Sequence, residues 1–550
     1  MLLLLLLSLL SLAFSQLPKE YELFIEYRQS KNPEVAYRIL REYPNAVFKD
    51  DLMVMLAKEL YSKGKEEEAK RLILQVDPKN LKEDLAEEFL RLWKGLSLDP
   101  KRALLNSPVL FREFIPQVNL TTEDALSVSS TLYRRRFYKE VIRLLEPMEY
   151  EKVCYTLGKA YRALGDREKA IQTLESCTDE RAKGELAVIY FEQGLREKAE
   201  GIVSSLEDTR VLQETLLRLG RLSLQRGDYS GAAEYFSRME MGYVSQFQLG
   251  LSYYALGDHS RALESFQRAL NHAKSKEEQT AANFWVYKCK VLMSHEDALE
   301  YLVKASDGVG FYHAVASSML GVPVASRALR VVIEDEGLPK TAEVIRSINR
   351  AGFPHYARLE ALKRLSAMSS SDIISISAFD PNLAVRLAVR KFGHGSLVYS
   401  AVAFLTPYRK EVQRASEAYG ADRALIYAVI RQESLFDPYA LSVAGAKGLM
   451  QLIDSTASYV AKREGINLED VYDPGTNILL GTAYLRYLIN MWNGDLVKAL
   501  ASYNAGPNRV KGWANQEDQY LYIELIPLQE TRDYVKRVLY NYYVYSELLK

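Results

Sequence analysis

A helical pattern that recurs roughly every 30 residues constrains this chain more than any other feature. Its clearest copies run from Leu157 to Ala170 around Gly165, from Leu186 to Ala199 around Gly194, from Leu222 to Ala233 around Gly227 and Asp228, and from Leu249 to Ala262 around Gly257 and Asp258. Weaker copies surround Gly64 and Phe137. In each copy an aromatic residue or leucine on one helix precedes a tight glycine turn, and a small alanine on the next helix lets the two close. Such a hairpin cannot bury its apolar face alone, so the copies must stack into a curved solenoid. The pattern extends from Pro18 to about Ala305, and 550 residues exceed what a single core supports, so further domains must follow.

From about Tyr301 to Ser400 the repeat fades while helical patterning persists. Gly337-Leu-Pro339, Gly352-Phe-Pro354, Ser369-Ser-Ser371, Asp380-Pro381 and Gly393-His-Gly395 punctuate it, outlining short helices rather than a flexible tether. Leu2 to Phe14 is an apolar run too short to span a bilayer, ending in Ala13-Phe14-Ser15. This predicts a secretory leader cut after Ser15, although its start carries no Lys or Arg. No cysteine follows the cut to take a lipid, and no second long apolar run predicts a transmembrane anchor.

Lys and Arg balance Asp and Glu at 71 each, which gives no reason to expect nucleic acid. Three cysteines are too few for a disulfide framework or a zinc site. Cys154 and Cys177 lie in neighbouring repeats and could pair in an oxidising compartment, but the expectation is that all three, with Cys289, are buried free thiols. The six histidines all precede residue 395, so the C-terminal region lacks the parts for metal hydrolysis or Ser/His/Asp chemistry. No cofactor is expected.

The C-terminal region is organised around Ala424 to Gln451, with one carboxylate where a core residue is expected. Ile426, Val429, Ile430 and Glu433 share a helical stripe, and Asp422 is a plausible N-cap for the helix. Burial would raise the Glu433 pKa and make it a general acid; the alternative is a helix-end glutamate in solvent before the Asp437-Pro438 turn. Gly445 and Gly448 give a loop that can lie against a bulky ligand, and Leu449, Met450 and Gln451 are expected to open the next helix. A further helix is expected from Asn477 to Trp492, with Gly481 admitting a close neighbour. Tyr503 and Asn504 precede the helix-breaking Gly506-Pro507.

Glu433-Ser434, Gly448-Leu-Met-Gln451, Tyr503-Asn-Ala-Gly506 and the block from Ile526 to Arg532 followed by Tyr534-Val535 resemble, in this order, the signature blocks of the soluble lytic transglycosylases. The resemblance is strong from about Tyr408 to Tyr540 and looser elsewhere, and the repeats look tetratricopeptide-like. It implies a mainly α chain: a signal peptide over 1–15, a tetratricopeptide-like α-superhelix over 16–305, a helical linker domain over 306–405 and a lysozyme-like, goose-type catalytic domain over 406–550. It also implies a periplasmic enzyme cleaving the bond between N-acetylmuramic acid and N-acetylglucosamine in peptidoglycan, with formation of 1,6-anhydro ends.

Within that resemblance Glu433 is acid and then base, and a second carboxylate is not needed because the muramoyl C6 hydroxyl is the nucleophile. Ser442, Gly448, Met450, Gln451, Tyr503, Asn504 and Glu530 are carried over as substrate-binding positions, no metal site is implied, and the superhelix offers a surface for cell-wall synthesis or remodelling proteins. Ile453 and Asp454 depart from the methionine and proline common in the family, which bears on the cleft wall. Two rival readings remain: a lysozyme-like hydrolase, which needs a water-activating base, and a non-catalytic repeat scaffold that binds peptidoglycan.

Overall fold

The structure is a computed structural model that describes residues 17–324, 339–394 and 396–550; the expected leader lies outside them. Among the described residues regular structure is helical, and β pairing is confined to single-residue bridges joining Lys447 to Leu441 and to Leu452. The described residues form two compact units, each built from separated segments: those of 17–179 with those of 339–402, and those of 180–324 with those of 403–550. The repeat tract is therefore shared between them.

In the first unit, the helices Lys19–Ser30 and Lys49–Ser62 receive the returning helix Pro354–Lys363. Phe24 stacks on Phe48 with centroids 4.3 Å apart, and Phe353 and Tyr356 close over Phe24 at 5.7 and 5.8 Å. Beneath them the Tyr356 hydroxyl donates to the buried Asp51 carboxylate at 2.6 Å, which also accepts from the Lys82 backbone N–H at 3.1 Å. Cys154 and Cys177 form a disulfide with Cα atoms 5.7 Å apart, which corrects the expectation of free thiols. The bond joins the helix Tyr150–Leu164 to the residues just after the helix Arg167–Glu175, so neighbouring elements of one hairpin place the two sulfurs together. Cys289, in the other unit, is buried and free.

The second unit begins with four hairpins, of which Tyr243–Ala255 and His259–His272 make the most regular. A Cβ on Gly250 would lie 2.7 Å from the Phe266 ring, so the phenylalanine of the second helix seats directly on the glycine of the first. Asp258 caps the second helix by accepting from the Arg261 N–H at 3.0 Å, and Ala262 beside it is fully buried. Local chemistry and packing thus agree in a segment the sequence marks only by its spacing.

The remaining helices of this unit, Arg409–Tyr419, Arg423–Ser434, Asp454–Glu464, Pro474–Met491, Leu496–Ala505, Gln519–Leu525 and Gln529–Leu548, carry the C-terminal sequence blocks. Their core is continuous with that of the repeats. Phe284 meets Tyr520 edge-on at 5.0 Å, the Tyr254 hydroxyl donates to Asp518 at 2.8 Å, and Lys288 pairs with the same carboxylate at 2.8 Å. Glu524 is buried between the Tyr312 hydroxyl, which donates to it, and the Lys536 ammonium at 2.7 Å. Trp285 Nε1 completes the chain by donating to the Tyr312 oxygen at 3.0 Å. Every polar group named here has a partner, which is what permits its burial.

Candidate active site

Asp422 starts the helix Arg423–Ser434 as expected, its carboxylate accepting from the Ala424 N–H at 2.8 Å. Ile426, Val429 and Ile430 are fully buried and Val535 and Val538 of the C-terminal helix Gln529–Leu548 belong to the same core. Full burial of such side chains contributes about 1.5–3 kcal/mol each, so the two helices are held firmly. Arg431 adds a lateral tie, donating to Asn541 Oδ1 at 2.9 Å. The acid helix ends at Leu435, whose left-handed backbone (φ 49°) turns the chain away one residue after Ser434.

Glu433 therefore sits on the last turn of a rigid helix, half-buried but ringed by protein. The Tyr534 hydroxyl donates to Glu433 Oε1 at 2.7 Å. Burial raises the carboxyl pKa to about 8, opposed by that hydrogen bond and assisted by the negative charge of Glu530. Tyr503 and Tyr534 lie close enough to feel the Glu433 charge, and burial first, then that charge, pushes both phenols well above their ordinary range, so they remain donors. The site can hold a proton at neutral pH and release it to a leaving oxygen.

The loop after the acid is wound on itself. Ser442 Oγ accepts from the Ala446 N–H at 2.9 Å, so its side chain shapes the loop. Gln451 donates from Nε2 to the carbonyls of Ala440 and Gly448, both at 2.9 Å, and takes a positive φ of 49°. This replaces the expected helix start: Gly448 to Gln451 form a turn, and the helix begins only at Asp454. The turn prevails because the Gln451 amide ties the Gly448 carbonyl and the Ala440 carbonyl of the preceding loop together, and Asn477 holds the Met450 N–H. Tyr439, Leu441 and Val443 stand exposed along this loop.

Gly448 and Met450 answer to one buried residue and one small one. Asn477 accepts from the Met450 N–H at 2.7 Å and donates to the carbonyls of Lys447 and Val471 at 3.0 and 2.8 Å. A Cβ on Gly448, at φ 76°, would lie 2.3 Å from the Asn477 amide nitrogen. Met450 is fully buried with its sulfur against Gly481, where a Cβ would come within 2.5 Å, so it offers a glycan no side-chain surface in this structure. Its carbonyl accepts from the Tyr503 hydroxyl at 2.9 Å, which ties the two blocks together. Asn504 accepts from Thr531 at 2.7 Å, fixing the Tyr503 turn to the start of the C-terminal helix, where Glu530 is exposed.

The fold thus brings Tyr503 and Glu530 within electrostatic reach of the Glu433 carboxyl, ties Asn504 to the C-terminal helix, and places Ser442, Gly448, Met450 and Gln451 in the loop whose Met450 carbonyl holds Tyr503. Residue reasoning did not single out Tyr534 or Asn477. Tyr534 lies four residues after Glu530 on a helix, hence on the same face, and Asn477 is a polar residue heading the apolar run Ile478-Leu479-Leu480. Those were the available signals.

Residues 410–526 match the family description "Transglycosylase SLT domain". Two "Tetratricopeptide repeat" descriptions match residues 151–183 and 244–275. The soluble lytic murein transglycosylase of Escherichia coli K12 is 36% identical over 144 residues, covering 25% of this chain and 22% of that protein. Residues 410–526 are thus a transglycosylase SLT domain. The chain matches only about a fifth of the length of such curated relatives by sequence. Fold similarity runs further. The 70 kDa soluble lytic transglycosylase of Escherichia coli superposes with a TM-score of 0.65 at 19% identity, covering 96% of this chain and 92% of that one. An inactive mutant of the lytic transglycosylase Slt from Pseudomonas aeruginosa gives 0.63 at 20% identity, covering 98% and 93%. The soluble lytic murein transglycosylase fold therefore accounts for nearly the whole chain, repeats included.

Proposed function

We propose that this chain is a periplasmic peptidoglycan lytic transglycosylase in which Glu433 is acid and then base. The observation that carries the reading is a half-buried carboxyl with a raised pKa, held by a tyrosine hydroxyl, inside the segment that matches the transglycosylase family. Glu433 protonates the glycosidic oxygen between N-acetylmuramic acid and N-acetylglucosamine. The 2-acetamido group of the substrate stabilises the developing positive charge. Glu433, now ionised and steadied by Tyr534, takes the proton of the muramoyl C6 hydroxyl as that oxygen attacks C1, closing a 1,6-anhydro ring. An internal nucleophile gains from high effective molarity.

A water-activating second carboxylate is not required, and two acidic residues of the adjoining loop, Asp437 and Asp454, are otherwise engaged. Asp454 pairs through both oxygens with Lys447, and Asp437 accepts from the Tyr439 N–H to hold its turn. Gln451, Ser442 and Gly448 shape the loop that borders the glycan, with Tyr439 and Leu441 as its exposed apolar surface. Tyr503, Asn504 and Glu530 complete the opposite wall. The Cys154–Cys177 disulfide accords with an oxidising compartment. No described helix is long and apolar enough to cross a membrane.

Mass spectrometry of products from purified peptidoglycan tests this directly. Anhydro-muropeptides are expected from the parent chain and not from Glu433→Gln; reducing ends in their place would make the enzyme a hydrolase.

A further inference from the structure

Between the helices Thr122–Arg134 and Tyr150–Leu164 of the first unit lies a pocket of about 190 Å³, lined in part by Ser130, Tyr133, Arg134, Tyr155, Thr156 and Lys159. The Lys159 ammonium sits 5.3 Å from the Tyr133 ring and 5.0 Å from the Tyr155 ring, with the Tyr155 hydroxyl 3.4 Å away. Arg134 makes only long contacts within its own helix, at 3.4 Å to the Ser130 carbonyl and 3.4 Å to Thr131 Oγ1. Among the described residues no carboxylate pairs with either cation. Several other cations of the repeats that reach a neighbouring helix meet a carboxylate there: Arg218 meets Glu185 at 2.7 Å, Arg238 meets Glu200 at 3.0 Å and Lys58 meets Glu88 at 2.9 Å. Two π faces hold a cation in place but leave its charge uncompensated. The Cys154–Cys177 bond pins the helix next to Tyr155, so the pocket is organised before anything enters it.

We propose that this pocket binds a free carboxylate of a peptidoglycan stem peptide, at a site separate from Glu433. The inference rests on the peptidoglycan reading above. Arg134 supplies a planar fork for a carboxylate and Lys159 a point charge beside it. The tyrosine rings contact the aliphatic part of the same residue, and the Ser130 and Thr156 hydroxyls are within the lining to meet its amide. A pocket of this size suits one terminal amino acid and not a helix or a folded partner. The binding would hold the peptide-bearing strand to the repeats.

The test uses the full chain carrying Glu433→Gln and a fluorescein-labelled stem tetrapeptide, with its C-terminal carboxylate free or amidated, read by anisotropy. The free acid is expected to bind about tenfold more tightly than the amide. Lys159→Met with Arg134→Met abolishes that preference, Lys159→Arg restores part of it, and an unchanged melting midpoint shows the variants fold. Equal binding of both peptides, or a double variant that still prefers the acid, overturns the proposal. Equally tight binding of an unrelated tetrapeptide acid of L-residues overturns the wall-peptide assignment. No bond is cleaved in this assay, and the product analysis above uses no pocket variant, so either reading can fail alone.

Discussion

Two buried carboxylates in one unit have opposite fates. Glu433 and Glu524 both lie against the C-terminal helix, which answers the first with Tyr534 and the second, two residues later, with Lys536. At Glu524 burial pushes the pKa up, but Lys536 and Arg532 outweigh it and the net shift is downward, leaving an anion that ties the repeats to the C-terminal helices. At Glu433 burial is opposed only by a neutral hydroxyl and is assisted by the charge of Glu530, so it wins and leaves an acid near pH 8. Burial alone does not make a catalytic acid. The partner's charge decides, and a displacement of two residues along one helix selects it.

The largest expected effect comes from breaking the structural member of the pair. Glu524→Gln leaves Lys536 without its carboxylate partner and is expected to cost about 3–5 kcal/mol of stability by urea denaturation, while the residual folded enzyme still yields anhydro products. On the catalytic side, the proton needed by the leaving group is held below about pH 8 and lost above it. The rate constant kcat/KM is thus expected to fall about tenfold per pH unit beyond that value in a pH profile.

Tyr534→Phe sharpens the comparison further. It removes the hydrogen bond that favours the ionised form, so the alkaline limb of the profile should move to higher pH, with about a tenfold loss in kcat from poorer support of the ionised acid. The smallest effect concerns stability. Glu433 titrates near 4.5 when exposed and near 8 when folded, so the folded state holds the extra proton. Its stabilising linkage is complete below pH 4.5 and is lost as pH rises toward 8. Glu433→Gln, which carries no charge to bury, should be more stable than the parent at pH 8 by about 1–2 kcal/mol and by little at pH 4. Thermal melts across that range measure it.

The place of Glu433 on an apolar stripe was legible, although the stripe alone left a solvent-facing helix end open, and the hairpins were legible because their spacing repeats. The turn at Gly448 to Gln451 was not. Its residues have acceptable helical propensity, and only the two carbonyls that Gln451 reaches, together with Asn477 from another helix, make the turn the lower-energy choice. Met450 looked like a contact residue by its position in the block, yet packing against Gly481 buries it. The disulfide escaped for a related reason: Cys154 and Cys177 have no patterned spacing, and the bond depends on how one hairpin folds back.

By itself the sequence determined a helical repeat tract, a C-terminal block order and one misplaced carboxylate, since periodicity, glycine turns and apolar stripes are local properties. Only the tertiary structure decided which buried carboxylate keeps its proton, which residues hold the loop, and that the repeats from 180 onward share a core with the C-terminal helices. Those outcomes depend on partners that are distant in sequence, as Tyr534 is from Glu433 by 101 residues, and on the dielectric that packing creates around them.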